Sequence, residues 1–431
     1  MRRQAYLSVG AVAVATLLAG CAFGGGAAPD DTADEGPVEI TFQSLAYQDT
    51  TVAATEEIVD SWNEENPDIQ VKLTQGSWDN VHDQLVTQFQ GGTAPDVIHD
   101  ESSDILGFAN QGYLADIGPY LTEDVKGAVS DDVWETVTTS DGKIIAAPTL
   151  LQTYVVYANE DAFAAAGVDM PTGDELSWDD LQTLSKDLTT GGQFGVGWGL
   201  KQPTAAIMNT ALGFDGDFFT VEDDGTATIE VGDDELAVPD AIHAMAYDDK
   251  SLDPVTLTQS GSDVMPGFLG GSYAMYIGGN FLAQQITESA PEGFNWTVLP
   301  PLAGSAGAVQ AANPQTMSVA AESKHVEQSA KFIDYFMNAE NQAKLALGDW
   351  LIPASSDARA ELESQTADQN GWAELLKTGE NLSGAPFQKA TNYPQWKDQY
   401  ATPGLQQYFA NSITREQLAE QLTAGWDSVS G

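Results

Sequence analysis

Residues 92–114 read GTAPDVIHDESSDILGFANQGYL, and this stretch carries the clearest indication of the fold. Residues 96–98, Asp-Val-Ile, are typical of a short buried strand. The apolar positions within residues 105–109 predict that a helix begins directly afterwards. A buried strand followed by a helix is the repeating unit of a sheet that helices cover.

The chain before this stretch shows the same alternation twice. Residues 38–42 alternate apolar and polar side chains, as a strand does, and residues 51–66 have helical spacing. Residues 69–73 alternate again, and the apolar positions of residues 81–89 recur every four residues. We therefore predict fold class α/β, with a largely parallel sheet covered by helices.

Strands and helices continue to the end of the chain. Strands are predicted at residues 154–157, 194–200 and 272–277, and a hairpin at residues 220–231. Helices are predicted at residues 161–166, from Ser177 onward, at residues 326–337 and at residues 418–426. Helical spacing assigns Trp62, Trp372 and Trp426 to the core, and Trp178 beside its cap as well.

Composition excludes several classes of partner. The 431 residues contain 16 Lys and Arg against 64 Asp and Glu, which gives a formal net charge of −48. A surface this acidic repels phosphate backbones and anionic lipid headgroups, so we expect no nucleic-acid partner and no polybasic membrane patch. Hydrophobic residues make up 42% of the chain, enough to build cores in two or three folding units of about 150 residues each.

The first residues have the pattern of an export signal. Arg2 and Arg3 precede an uncharged, mostly apolar stretch at residues 5–18, which is shorter than the roughly 20 residues that span a bilayer. Leu18-Ala19-Gly20-Cys21 follows and resembles the lipobox of bacterial lipoproteins, in which the cysteine is lipidated. We predict a signal peptide at residues 1–20 and a lipidated flexible tether at residues 21–37. An ordinary signal peptide with a coincidental cysteine is the alternative, and the export route, general or twin-arginine, stays open.

Several stretches resemble one family in their content and order. They are GTAPDVI (residues 92–98), FANQGYL (108–114), VVYANEDAF (155–163), SWDDL (177–181) and GSYAMYIGGNF (271–281), with a softer match over residues 323–353. Together they resemble the bacterial extracellular solute-binding proteins of ABC importers, in particular the sugar-binding cluster that includes maltose-binding protein.

The resemblance implies a two-lobe periplasmic-binding-protein-like fold, with interlobe crossover strands and a ligand cleft. It implies that lobe one comprises residues 38–151 and 316–348, and lobe two residues 152–315 and 349–431. It also implies an extracytoplasmic, lipid-anchored monomer that captures a neutral mono- or oligosaccharide. The closed form would deliver the sugar to the permease subunits of an ABC importer. No cofactor, metal or catalytic residue is expected.

Candidate ligand contacts follow from where this fold binds its ligand. Ligands of open α/β sheets lie beyond the carboxyl ends of the strands. A sugar stacks its C–H face on a flat ring and offers hydroxyl groups to carboxylates and amides. The aromatic candidates are Tyr47, Trp78, Tyr154, Phe281 and Trp350. The polar candidates are Gln48, Asp79, Asp100, Glu101, Gln152 and Asn280.

Motifs of the common enzyme classes do not occur in the sequence. The histidines form no H-E-x-x-H, and the glycine-rich residues 195–199 lack the lysine of a phosphate-binding loop. No G-x-S-x-G elbow occurs either. Pairs of carboxylates can be chosen freely among 64 acidic residues, so a surface lipoprotein that hydrolyses or senses glycans remains the alternative function.

Overall fold

The computed structural model describes residues 36–222, 225–367, 369 and 371–430. The predicted signal peptide, Cys21 and all but the last residues of the predicted tether lie outside the described residues. Within these ranges no helix combines the length and apolar character needed to cross a membrane.

The strands alternate with helices through most of the chain. The strands are β1 (Val38–Ser44), β2 (Ile69–Gln75), β3 (Val97–Glu101), β4 (Ala146–Leu151), β5 (Tyr154–Asn159), β6 (Leu176–Ser177), β7 (Phe194–Trp198), β8 (Phe219–Val221), β9 (Ala227–Ile229), β10 (Tyr273–Gly279), β11 (Trp296–Val298), β12 (Leu302–Ala303), β13 (Gln310–Ala311), β14 (Pro314–Val319), β15 (Ile352–Pro353) and β16 (Leu382–Ser383). The helices are α1 (Asp49–Glu65), α2 (Val81–Gly91), α3 (Ser102–Asn110), α4 (Glu123–Gly127), α5 (Asp131–Glu135), α6 (Glu160–Ala166), α7 (Trp178–Asp187), α8 (Thr204–Ala211), α9 (Asp233–His243), α10 (Gly261–Leu269), α11 (Leu282–Ser289), α12 (Val326–Phe336), α13 (Ala339–Asp349), α14 (Ser356–Thr366), α15 (Trp372–Lys377), α16 (Tyr393–Trp396), α17 (Thr402–Phe409) and α18 (Arg415–Ser430).

Two sheets organise the described residues. The larger has six strands in the order β15-β4-β14-β3-β1-β2, and the smaller has four in the order β11-β5-β10-β7. The expected parallel pairing occurs among β1, β2 and β3 of the larger sheet and between β7 and β10 of the smaller one. β14 pairs antiparallel with both β3 and β4, and β5 pairs antiparallel with both β10 and β11. Both sheets are therefore mixed, and β14 lies inside the larger sheet, between β4 and β3.

Aromatic side chains pack the helices onto the larger sheet. The ring of Phe42, in β1, lies 5.6 Å from that of Phe332 in α12, and Trp62 of α1 lies 5.6 Å from the same ring. The two helices that the sequence predicts over residues 51–66 and 326–337 therefore cover one core. Trp62, Trp178, Trp372 and Trp426, predicted to pack in the core, are all buried.

Most predicted elements are present, with differences of a few residues at their ends. Ser177 caps α7, since its hydroxyl oxygen accepts a hydrogen bond from the Asp180 N–H at 3.0 Å. The predicted hairpin is formed by β8 and β9, and its tip at residues 223–224 lies outside the described residues.

The chain passes between the two sheets at short connections. Only Gln152 and Thr153 separate β4 of the larger sheet from β5 of the smaller sheet. The buried side chain of Gln310 pairs with the Tyr154 backbone in both directions: its Oε1 accepts from the Tyr154 N–H at 2.8 Å, and its Nε2 donates to the Tyr154 carbonyl at 2.9 Å. An amide side chain thus replaces a strand neighbour just where the chain leaves one sheet for the other.

The boundaries of the two lobes, placed by the sequence at 151/152, 315/316 and 348/349, stay a prediction. β15 (Ile352–Pro353) lies after the third of these boundaries, in the part of the chain assigned to lobe two. It nevertheless pairs antiparallel with β4, which belongs to the larger sheet.

We expect Gln310→Leu to lower the free energy of unfolding by about 2–4 kcal/mol, because a buried backbone N–H and C=O lose their partners. Urea unfolding measures the change. Gln365→Leu is the matched control, since Gln365 is exposed on α14 and bonds only to Glu361, and it should change stability by less than about 0.5 kcal/mol. Equal effects of the two substitutions would contradict the role of Gln310.

Candidate functional site

A cavity of about 610 Å³, here called the cleft, lies at one edge of the larger sheet. Its lining residues come from loops, strand ends and helices on both sides of the crossovers. They are Tyr47, Gly76, Ser77, Trp78, Asp79, Glu101, Gln152, Ser262, Phe281, Asn313, Gln315, Asp349 and Leu351.

Strand direction explains why these residues meet. β1, β2, β3 and β4 run in the same direction, so the residues that end or follow them, such as Trp78 and Glu101, lie at one edge. β14 and β15 run in the opposite direction, so the residues at their beginnings lie at the same edge. Ser262 of α10 and Phe281 after β10 line the cleft from the side of the smaller sheet.

Two aromatic rings form apolar parts of the lining. Trp78, half-buried in the loop after β2, packs edge-on against His99 with ring centroids 5.4 Å apart. Phe281 folds back over the end of β10, where a Cβ on Gly279 would lie 2.4 Å from its ring. A larger residue at position 279 would therefore force the Phe281 ring to move.

Tyr47 reaches across from the β1 side of the cleft. Its side chain is 50% exposed, and its hydroxyl oxygen accepts a hydrogen bond from Gln285 Nε2 of α11 at 3.3 Å. Burial of its hydroxyl end and the nearby charge of Asp349 raise the pKa of Tyr47 to about 12. Tyr47 therefore remains a neutral hydroxyl that can donate and accept hydrogen bonds at any physiological pH.

Asp349 is the most deeply buried carboxylate of the lining, with 3% of its surface exposed. Its Oδ1 accepts hydrogen bonds from Gln48 Nε2 at 2.8 Å and from the Thr51 hydroxyl at 2.5 Å. Burial raises the pKa of Asp349 to about 6, although these two hydrogen bonds lower it. A carboxylate held in this way is rigid and accepts hydrogen bonds strongly.

A second acidic group lines the cleft at the end of β3. Glu101 accepts a hydrogen bond from the Ser103 hydroxyl at 2.8 Å, and burial raises the pKa of Glu101. Beside it on β3, burial lowers the pKa of His99 to about 4, so the imidazole is neutral at physiological pH.

The structure brings together more than half of the residues that the sequence singled out. Those that line the cleft are Tyr47, Trp78, Asp79, Glu101, Gln152 and Phe281. Each of them lies at the carboxyl end of a strand or in the segment that follows it. Gln152 lies in the crossover after β4. Their role as ligand contacts stays a prediction.

Gln48, Asp100 and Tyr154 are placed beside the cleft and do not line it. Gln48 is buried and holds Asp349 by the hydrogen bond described above. Asp100 is fully buried in β3, because neighbouring residues of a strand point to opposite faces and Glu101 takes the cleft side. Tyr154 is half-buried and packs against the core of the smaller sheet.

Asn280 and Trp350 have structural surroundings. Asn280 is fully buried and binds the β4–β5 crossover, accepting from the Thr153 N–H and donating to the Leu151 carbonyl, both at 3.3 Å. Trp350 is buried and stacks on Trp372 with ring centroids 4.4 Å apart. Its φ of +54° turns the chain sharply at the end of α13, so the preceding Asp349, and not Trp350, lines the cleft.

Other lining residues were not singled out from the sequence: Gly76, Ser77, Ser262, Asn313, Gln315, Asp349 and Leu351. Gly76 and Ser77 directly precede the candidates Trp78 and Asp79 in the loop after β2. Asn313 directly precedes β14 and Gln315 is its second residue, and no local pattern shows that this strand runs against its neighbours. Ser262 lies in the first turn of α10, where the sequence predicts no helix.

The family profile described as bacterial extracellular solute-binding protein matches residues 47–343, more than half of the chain. The chain belongs to this family. It is 42% identical over 402 residues to an uncharacterized lipoprotein in the oleD 5' region of Streptomyces antibioticus, covering 92% of this chain and 87% of that one. It is 24% identical over 330 residues to the maltodextrin-binding protein of Bacillus subtilis, covering 75% of each chain.

Solved structures share the fold. The sugar-binding protein MalE from Xanthomonas citri superposes with a TM-score of 0.79 at 18% identity, covering 91% of this chain and 97% of that one. The GacH receptor of Streptomyces glaucescens, solved unliganded and with acarbose, gives a TM-score of 0.75 at 20% identity, covering 92% and 99%. The prediction of a two-lobe α/β binding-protein fold is confirmed.

We expect Asp349→Asn to be more stable than the native chain at pH 8, by up to about 3 kcal/mol, and equally stable near pH 4. The raised pKa means that the folded state disfavours the charged carboxylate, so native stability falls as pH rises from about 4 to about 6. The Asn side chain keeps the Oδ1 acceptor without the charge.

Urea unfolding at pH 4, 6 and 8 measures this difference. Asp60→Asn removes the same charge from an exposed position of α1 and is the control for the loss of one negative charge. Parallel pH profiles for the native chain and Asp349→Asn would contradict the burial of a charged Asp349.

Proposed function

We propose that this protein is the substrate-binding lipoprotein of an ABC importer, and that its cleft binds a neutral mono- or oligosaccharide for delivery to the permease. The observation that carries the proposal is the composition of the cleft, in which the rings of Trp78 and Phe281 are combined with carboxylates and amides.

This combination suits the two surfaces of a pyranose. The C–H face of the sugar ring packs on a flat aromatic surface, and the hydroxyl rim needs a partner for every group that closure buries. The carboxylates of Asp79, Glu101 and Asp349 accept hydrogen bonds, and the amides of Gln152 and Asn313 both donate and accept them.

The charge of the cleft favours a ligand without negative charge. Among the described residues that line it, none is lysine or arginine, whereas Asp79, Glu101 and Asp349 are acidic. A sugar phosphate or an acidic sugar would face these groups with no cation to pair with, and repulsion between like charges would oppose binding.

The names of the relatives support a saccharide ligand. The Bacillus subtilis relative is a maltodextrin-binding protein, and the Streptomyces glaucescens receptor was crystallised with acarbose. Relatives in Streptococcus pneumoniae are maltooligosaccharide solute-binding lipoproteins. Maltose-type oligosaccharides are therefore the first ligands to test.

The cellular setting is part of the proposal. We infer that Cys21 is lipidated after removal of residues 1–20, so that residues 21–37 tether a monomeric binding domain outside the cytoplasm. The relative from Streptomyces antibioticus is called a lipoprotein, which supports this inference. A permease in the same membrane would receive the sugar, and no catalytic step on the sugar is expected.

Calorimetry with maltose, maltotriose and maltotetraose tests the ligand class. We expect micromolar binding, about −8 kcal/mol, with the sugar recovered intact. Trp78→Ala should weaken binding tenfold or more, about 1.4 kcal/mol, because the stacking surface is lost. Tyr120→Ala is the control, since Tyr120 is an exposed aromatic residue that does not line the cleft.

Two outcomes would contradict this proposal. Release of shorter sugars during the titration would favour the alternative of a glycan hydrolase. Equal binding by native protein, Trp78→Ala and Tyr120→Ala would show that the ligand lies elsewhere.

The lipid anchor makes a separate prediction. In a bacterial host that processes lipoproteins, the native chain should partition into the detergent phase of Triton X-114, and Cys21→Ala should partition into the aqueous phase. Ser8→Ala, within the same signal segment, should behave like the native chain. Identical partitioning of Cys21→Ala and the native chain would contradict lipidation at Cys21.

A further inference from the structure

A chain of hydrogen bonds leads from the backbone of the β1 side to the wall of the cleft. The N–H of Leu45 donates to His99 Nδ1 at 3.1 Å. The other ring nitrogen, His99 Nε2, lies 3.0 Å from Gln315 Oε1. Gln315 lines the cleft.

The backbone donor determines the tautomer of His99. A main-chain N–H can only donate, so Nδ1 must be the unprotonated acceptor, and the hydrogen of the neutral ring must be on Nε2. Nε2–H then donates to Gln315, which identifies the atom it meets as the amide oxygen and not the amide nitrogen. The amide of Gln315 therefore has one possible orientation.

The surroundings hold this arrangement in place. Met317 of β14 is the register partner of His99 on β3, and Gln315 lies two residues earlier on β14, on the same face as Met317. Trp78 packs against the imidazole ring. Burial keeps the imidazole neutral, as its lowered pKa indicates. Among the hydrogen bonds of the described residues, none is donated by Gln315 Nε2.

We propose that His99 is a positioning residue that fixes the Gln315 amide so that its NH₂ group is presented to the cleft as a hydrogen-bond donor. This point of the cleft then requires a ligand oxygen that accepts a hydrogen bond, as a hydroxyl, ring or glycosidic oxygen of a saccharide does, and it disfavours a ligand group that can only donate. The inference rests on the proposed function and identifies the kind of ligand atom that binds at Gln315, namely a hydrogen-bond acceptor.

The orientation can be tested without any ligand. A long-range ¹H–¹⁵N correlation spectrum of histidine-labelled native protein at pH 7 distinguishes the two neutral tautomers and the protonated ring. The resonances of His99 are identified among the four histidines by their loss in His99→Phe. We expect His99 to be the Nε2–H tautomer. An Nδ1–H or protonated ring would overturn the proposal, because the Gln315 amide would no longer be oriented.

The selectivity can be tested with maltotriose as the probe. Gln315→Leu removes the donor and should weaken binding about fivefold to tenfold, the loss of a single hydrogen bond. Gln315→Glu keeps an acceptor for His99 and turns a second oxygen toward the cleft, so it should bind at least threefold more weakly than Gln315→Leu. Ser262→Asp adds the same charge at another lining position, one that is not a proposed ligand contact, and corrects for the general effect of charge.

The order of affinities decides the inference. If Gln315→Glu binds maltotriose as tightly as Gln315→Leu, or more tightly, the ligand donates at this point and the proposal is overturned. If native protein does not bind maltotriose or the other saccharides tested, the proposed function fails, and the histidine spectrum still decides the orientation of Gln315.

Discussion

The cleft depends on how the chain crosses from one sheet to the other without losing backbone hydrogen bonds. The backbone of Leu151, Thr153 and Tyr154 leaves the larger sheet before it has full partners in the smaller one. Gln310 and Asn280, both buried, supply the missing donors and acceptors from their amide groups. An unpaired buried N–H or C=O costs about 1–3 kcal/mol, so a crossover without these amides would be unstable. The walls of the cleft keep their positions because this short connection is held on both sides.

At Asp349 the cost of burying a charged group opposes the gain from the hydrogen bonds that it accepts. Its position at the end of α13 brings a carboxylate next to the negative end of a helix dipole and removes it from water, and both effects disfavour its charge. Gln48 and Thr51 offset part of that cost by donating to Oδ1. The hydrogen bonds from Gln48 and Thr51 therefore recover only part of the solvation that the Asp349 carboxylate loses on burial.

The fold was largely predictable from the sequence, and the site only in part. Periodic apolar residues mark α1 and β1 because one face of each element is buried, and the loops that follow parallel strands could be expected at one edge. Asp100 and Glu101 were both candidates, and only the strand geometry decides which of them faces the cleft. Trp350 was a reasonable aromatic candidate. Its own positive φ turns the chain at the end of α13, and Asp349 lines the cleft instead. Long-range strand direction and local backbone turns are the two properties that one sequence does not show.

Gln315 illustrates a further limit, since the identity of a residue does not determine what it offers to a ligand. A glutamine can donate or accept, and a cleft lined by free amides would accept many arrangements of hydroxyl groups. Here the N–H of Leu45, which can only donate, determines the tautomer of His99. His99 in turn determines the orientation of the Gln315 amide. The direction of a hydrogen bond in the cleft is thus set by a main-chain group directly after β1 that does not line the cleft. Selectivity for a sugar can therefore change by substitution behind the wall of the cleft, with every residue that lines the cleft unchanged.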